Sequence, residues 1–266
     1  MRNALALALA VAFGLLAACS SSSSPDDPGS SDASTLDDSG SVGDSSTDLD
    51  SSVAVDASAP HDAGAVVDAG DQIAQLLALT SKCAKPVSTG LLALNAGNPG
   101  TVAVCGLTGA LFWKADMDID CDGKQTTQCN TGTDPDYQNS TAAVDSKGNA
   151  LDAANLPYVV VPGKSAKFDA AAAGLSKGAV ILVVYKNQLA YAVYGDVGPA
   201  ADIGEASYAT ASELGINPNP SKGGVDGADV LYVAFTGSDS VVKPKIEDHA
   251  AAVTLGKAKL TALLGN

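Results

Sequence analysis

From residue 71 onward, short apolar runs alternate with Gly- and Pro-marked breaks, and the runs have the length of strands. Val102–Val104 and Leu111–Trp113 are two such runs. Tyr158–Val161 is a third, stopped by Pro162-Gly163. Ala179–Tyr185 is unbroken and rich in β-branched residues, as a strand buried on both faces requires. Lys186-Asn187-Gln188 turns it into Leu189–Tyr194, which predicts a hairpin. Val230–Phe235 is one more strand, ended by Thr236-Gly237. Helical spacing is confined to Asp71–Ser81, Glu205–Leu214 and Glu247–Leu264. The pattern therefore predicts a mainly β, α+β domain punctuated by helices, with no internal repeat.

The region before residue 71 reads differently. Arg2 precedes an apolar run from Ala4 to Ala18, the layout of an export signal and short for a membrane-spanning helix. Its end, Leu16-Ala17-Ala18-Cys19, resembles a bacterial lipobox, which implies cleavage and lipidation at Cys19. Ser20, rather than Asp, follows it and points to the outer membrane or cell surface. Residues 20–70 are a Ser, Asp, Ala and Gly tether with 11 Asp and no Lys or Arg. That composition buries too little apolar surface to offset chain entropy. The expected organisation is a signal peptide over 1–19, a disordered tether over 20–70 and one folded domain over 71–266.

Charge narrows the ligands. The chain holds 30 Asp plus Glu against 15 Lys plus Arg, a net charge of −15, and only 2 His. Such acidity excludes nucleic acid, and His61 and His249 cannot build a multi-histidine metal centre. Over residues 71–266, 19 acids face 14 lysines and no arginine. Without guanidinium forks, a cationic or neutral ligand fits better than an anionic one. Four cysteines remain after Cys19: Cys83, Cys105, Cys121 and Cys129. In an exported protein they imply two disulfides, with three connectivities open; short loops favour Cys83–Cys105 with Cys121–Cys129. No CxxC pair supports zinc.

Candidate chemistry centres on Tyr194-Gly195-Asp196-Val197-Gly198 and Ile203-Gly204-Glu205-Ala206-Ser207. Two carboxylates on a Gly-rich, water-accessible edge can supply an acid and a base to one glycosidic bond. The opposing reading makes Asp196 a turn residue and Glu205 a complement to a helix dipole. Asp116, Asp118, Asp120 and Asp122 alternate, so a strand would put all four on one face. That comb can grip ammonium groups, serve as half of a calcium loop, or simply be a solvated acidic edge. Trp113 and Tyr137 are candidates for stacking on a sugar face, and Trp113 equally for the core.

These motifs, with Asp229–Gly237, Ala115–Gly123, Asp134-Pro135-Asp136-Tyr137-Gln138 and Leu156–Val160, resemble glycoside hydrolase family 75, the fungal-type chitosanases, in the family's order from about residue 105 to 238. The resemblance implies internal, inverting hydrolysis of β-1,4 bonds in chitosan. It maps the two essential carboxyls onto Asp196 and Glu205. Glu205 is assigned as acid and Asp196 as base, exchangeable because a helix N-terminus would lower the pKa of Glu205. Substrate contacts are expected from Asp116, Asp118, Asp120, Asp122 and Tyr137. The fold expected is a barrel-like β domain with a few peripheral helices, a double-psi type being one form of it. The expectations also include no cofactor, no metal, a monomer, and membrane contact only through the lipid anchor. Two other readings stay open: a non-catalytic surface lipoprotein that binds chitosan or peptidoglycan, and a peptidoglycan-cleaving lytic enzyme.

Overall fold

A computed structural model describes residues 68–265. The signal peptide, Cys19 and the tether up to residue 67 lie outside the described residues. Seven strands and three α-helices follow in the order α1 (Ala69–Leu79), β1 (Cys105–Leu107), β2 (Ala110–Asp120), β3 (Tyr158–Pro162), β4 (Val180–Tyr185), β5 (Gln188–Gly198), β6 (Glu205–Ser207), α2 (Tyr208–Glu213), β7 (Val225–Phe235) and α3 (His249–Leu264). Helix α1 starts at Ala69, inside the stretch that composition assigned to the tether, because the Asp68 side chain caps it.

Six strands close into a barrel in the order β2-β6-β3-β5-β4-β7, and β7 pairs back onto β2. Closure depends on the length of β2. Its first half pairs antiparallel with β7 and its last three residues pair parallel with β6. β3 and β5 form the second parallel pair, and β1 folds back onto the start of β2.

Both faces of the barrel wall are apolar. Gly256 of α3 packs so tightly that a Cβ there would meet the Tyr191 ring at 2.3 Å, so Tyr191 and Val180 point outward under the helix. The outer layer contains Leu182, Val193, Leu231 and Val233, packed with Leu76 of α1 and Leu260 of α3. The opposite face therefore lines the barrel interior: Trp113, Met117, Ile181, Val183 and Tyr232, interleaved with Ala115, Ala190, Ala192 and Ala234. Small residues alternate with large ones because a six-strand barrel leaves a narrow interior. Trp113 and Tyr232 stack there with ring centroids 5.4 Å apart, so Trp113 is a core residue and cannot reach a sugar.

Three elements depart from the sequence pattern. β2 runs to Asp120 instead of stopping at Trp113, since Ala115, Met117 and Ile119 continue its inward alternation. Val102–Val104 contributes only a single bridge, between Leu92 and Val102. The helix expected over Glu205–Leu214 is split. Glu205–Ser207 is a strand held between β2 and β3, and the Ser207 hydroxyl accepts the Thr210 N–H, so α2 begins only at Tyr208. The disulfides are Cys83–Cys105 and Cys121–Cys129, the short-loop pairing. Among the described residues, no helix is long and apolar enough to cross a membrane.

Candidate active site

Part of the outer wall lies open as a cleft over β2, β6, β3 and β5. Strand register sets its floor. Asp118 of β2 pairs with Glu205 of β6, Glu205 with Val160 of β3, and Val160 with Asp196 of β5. Residues in register share a face, so these four form one row across the wall. Strands lie about 4.8 Å apart, which puts the backbones of Glu205 and Asp196 about 10 Å apart with Val160 between them.

Asp196 owes its place in the row to a bulge. Val159 pairs with Tyr194, but Val160 pairs with Asp196, leaving Gly195 as an extra residue. Tyr194 faces the barrel interior, and strict alternation would send Asp196 the same way; the bulge re-aims it outward. Gly195 is needed there because a Cβ would sit 2.5 Å from the Cβ of Tyr158. Its role is to admit Tyr158 rather than a ligand. Gly198 does border the cleft, where a Cβ would approach Glu205 Oε2 to 3.3 Å.

One cavity of the cleft, about 410 Å³, is lined by Asp118, Asp120, Asp122, Asp134, Asp136, Asp202 and Glu205. A second cavity of about 250 Å³ shares Asp120, Asp122 and Glu205 with it and adds Asp196. No lysine or histidine lines either one. Burial pushes the Glu205 carboxyl far above the usual range, reinforced by Asp120, Asp118, Asp122 and Asp196 in that order. Burial also raises Asp120, whose Oδ1 accepts the Asp122 N–H at 2.6 Å. Asp122 is pushed up to about 6, again mainly by burial, although its Oδ1 accepts the Gln138 N–H. Burial raises Asp196 as well, but two backbone donors oppose it. Both Ala142 N–H and Val197 N–H reach its Oδ1 at 2.7 Å. The row thus contains one carboxyl, Glu205, that strongly retains its proton and one, Asp196, that is also raised but whose anion two backbone N–H groups partly support.

The aspartate comb is broken. Asp118, Asp120 and Asp122 line the cleft, whereas Asp116 is fully buried behind Gly204. The β2–β7 ladder shifts register between Ala115 and Met117, which lets Asp116 turn toward Asn95; the Asn95 Nδ2 donates to its Oδ2 at 3.0 Å. Asp118 and Asp120 belong to a strand rather than to a loop wrapped around an ion. The Tyr137 hydroxyl donates to the Gly123 carbonyl, and its ring lines a separate depression with Gln125 and Ser140. Asp134, Asp136 and Asp202 reach the cleft from loops, where no periodicity marks them.

A closed barrel with Glu205 and Asp196 facing one acid-lined groove, their proton affinities raised to different extents, has the features of a glycosidase. The family described as fungal chitosanase of glycosyl hydrolase group 75 matches residues 117–261. An endo-chitosanase of Aspergillus fumigatus is 34% identical over 173 residues, covering 60% of this chain and 73% of that protein. Endo-chitosanase B of Aspergillus oryzae is 30% identical over 178 residues, covering 61% and 74%. The chain belongs to glycosyl hydrolase group 75.

Proposed function

We propose that the protein is an endo-acting chitosanase that cleaves β-1,4 bonds of chitosan with inversion. Glu205 is the general acid and Asp196 the general base. The observation that carries this reading is the row across the wall, with Glu205 and Asp196 separated by one intervening strand. Inverting glycosidases hold their carboxyls about 6.5–9.5 Å apart to admit a water, and two strand spacings supply a gap of that order. Glu205 lies in a strand, three residues ahead of α2 rather than in its first turn, and burial keeps it a neutral acid able to protonate the leaving oxygen. Asp196 Oδ1 is occupied by two N–H donors, while Oδ2 has no partner among the described residues. Oδ2 is therefore the oxygen that takes a proton from the attacking water.

The acidic walls supply the substrate preference. Protonated glucosamine units carry ammonium groups that Asp118, Asp122 and their neighbours can accept in charge-assisted bonds. The two disulfides suit an oxidising, extracellular setting. Anchoring through Cys19 completes the proposal; Cys19→Ser should move the protein from the membrane to the soluble fraction.

Purified protein should release reducing ends from chitosan, with the α-anomer appearing first by NMR. Glu205→Gln and Asp196→Asn should each lower turnover by about 10²-fold or more without loss of folding. Near-normal rates in either variant, or first release of the β-anomer, would refute the scheme.

A further inference from the structure

Lys177 lies outside both cavities and is exposed, yet it is tied to the cleft from behind. Its Nζ donates to the carbonyl of Ala142 at 2.6 Å. The N–H of the same residue, Ala142, donates to Asp196 Oδ1 at 2.7 Å, and the next N–H, of Ala143, donates to the Gly195 carbonyl at 2.9 Å. Residues 142–143 thus form a strap along the bulged stretch of β5, bonded on one side to Asp196 and on the other to an ammonium. The base of the lysine is fixed to the same strand, because the N–H of Gly178 donates to the Tyr194 carbonyl at 2.8 Å. Lys177 makes no ion pair among the described residues, so its charge is not spent elsewhere.

We propose that Lys177 is a positioning residue for the reaction, pinning residue Ala142 by its carbonyl so that the N–H on the other side of the same Cα holds Asp196 in the geometry and charge state of the base. The inference rests on the assignment of Asp196 made above. The carbonyl of Ala142 shares its peptide unit with the N–H of Ala143, so the bond from Lys177 polarises the donor to the Gly195 carbonyl. The N–H of Ala142 belongs to the preceding unit and is held in place through the Cα that the two units share. The Lys177 charge itself also favours the Asp196 anion. Burial opposes it, and Asp196 also faces the acids Asp120 on β2, Asp122 after it and Glu205 on β6, together with the phenols Tyr158 on β3 and Tyr194 on β5, which stay neutral. Among the described residues, Lys177 is the one cation that acts on Asp196.

The test is the pH profile of kcat/KM on chitosan for wild type, Lys177→Met, Lys177→Gln and Lys177→Arg. Asp196 must be ionised to act, so its titration sets the acid limb. Lys177→Met should move that limb upward by about half a pH unit or more, a loss of about threefold or greater on its acid side. KM should stay within about twofold, since Lys177 does not reach the cleft. Lys177→Gln should fall between Met and wild type, and Lys177→Arg should restore the wild-type profile. The carboxyl ¹³C shift of Asp196, followed by NMR, should titrate higher in Lys177→Met independently of turnover. An unmoved acid limb and an unmoved Asp196 titration, or a uniform loss at every pH, overturns the clamp. Full activity in Asp196→Asn would instead remove the base assignment beneath it, so the two failures are distinguishable.

Discussion

Asp116 offers a direct measure of what this acidic wall costs the fold. Its side chain is fully buried, Oδ2 accepts one bond from Asn95, and Oδ1 has no partner. Burial, with help from Asp118, lifts its pKa from 3.8 to about 7. The folded protein therefore holds a proton on Asp116 that the unfolded chain releases near pH 4. Each pH unit between those values favours unfolding by about 1.4 kcal/mol, and above about pH 7 the penalty stops growing. Asp116→Asn removes the titration and can keep the Asn95 bond through its amide oxygen. Its NH₂ would replace the orphaned oxygen at a cost of about 1–3 kcal/mol, but that offset is independent of pH. Urea unfolding at pH 5, 6, 7 and 8 should show wild type losing about 2 kcal/mol relative to Asp116→Asn between pH 5 and 7, then less than about 0.5 kcal/mol more by pH 8. A difference between the two proteins that is flat across this range would refute the reasoning.

Gly204→Ala would place a Cβ 1.9 Å from Asp116 Oδ1 and 2.9 Å from the Ala115 Cβ, at a φ of +120°. We expect destabilisation of about 2–4 kcal/mol and at least about tenfold lower turnover, because Glu205 is the next residue; a thermal melt and a reducing-end assay check both. Raising NaCl from 0.05 to 0.5 M should lower kcat/KM on chitosan about fivefold by screening the acid-lined cleft, and a flat salt profile would speak against electrostatic capture. Replacing Cys121 and Cys129 together by Ala opens a loop with a sequence separation of 8 and should cost about 2.5 kcal/mol in chemical denaturation.

What the sequence revealed follows physical range. β4 and the core of β7 were legible because unbroken apolar runs need no partner to declare themselves. β6 was not: three residues make a strand only because β2 and β3 flank them, and an alanine-rich stretch behind Glu205 looks helical in isolation. The Ser207 cap was available as a signal that the helix starts three residues later than its apolar spacing suggests. Asp196 and Glu205 stood out by their glycine-rich settings, but the reason for Gly195 lies in Tyr158, 37 positions earlier in the chain and invisible to local pattern. The comb at Asp116–Asp122 assumed an unbroken strand, and a shift in the β2–β7 ladder removed one tooth. Asp134, Asp136 and Asp202 sit in loops, where a carboxylate has no spacing to betray it.

The strand lying between Glu205 and Asp196 has a consequence for how such an enzyme can change. Sheet spacing comes in fixed steps, so the distance between the two acids cannot drift smoothly as residues are exchanged. A single step would bring the carboxyls near the separation of retaining enzymes, and three would leave them too distant to serve one bond. On the proposed assignment, stereochemical outcome is written into barrel topology. Mutation can adjust it only by about one methylene, through the choice of Asp or Glu at either end.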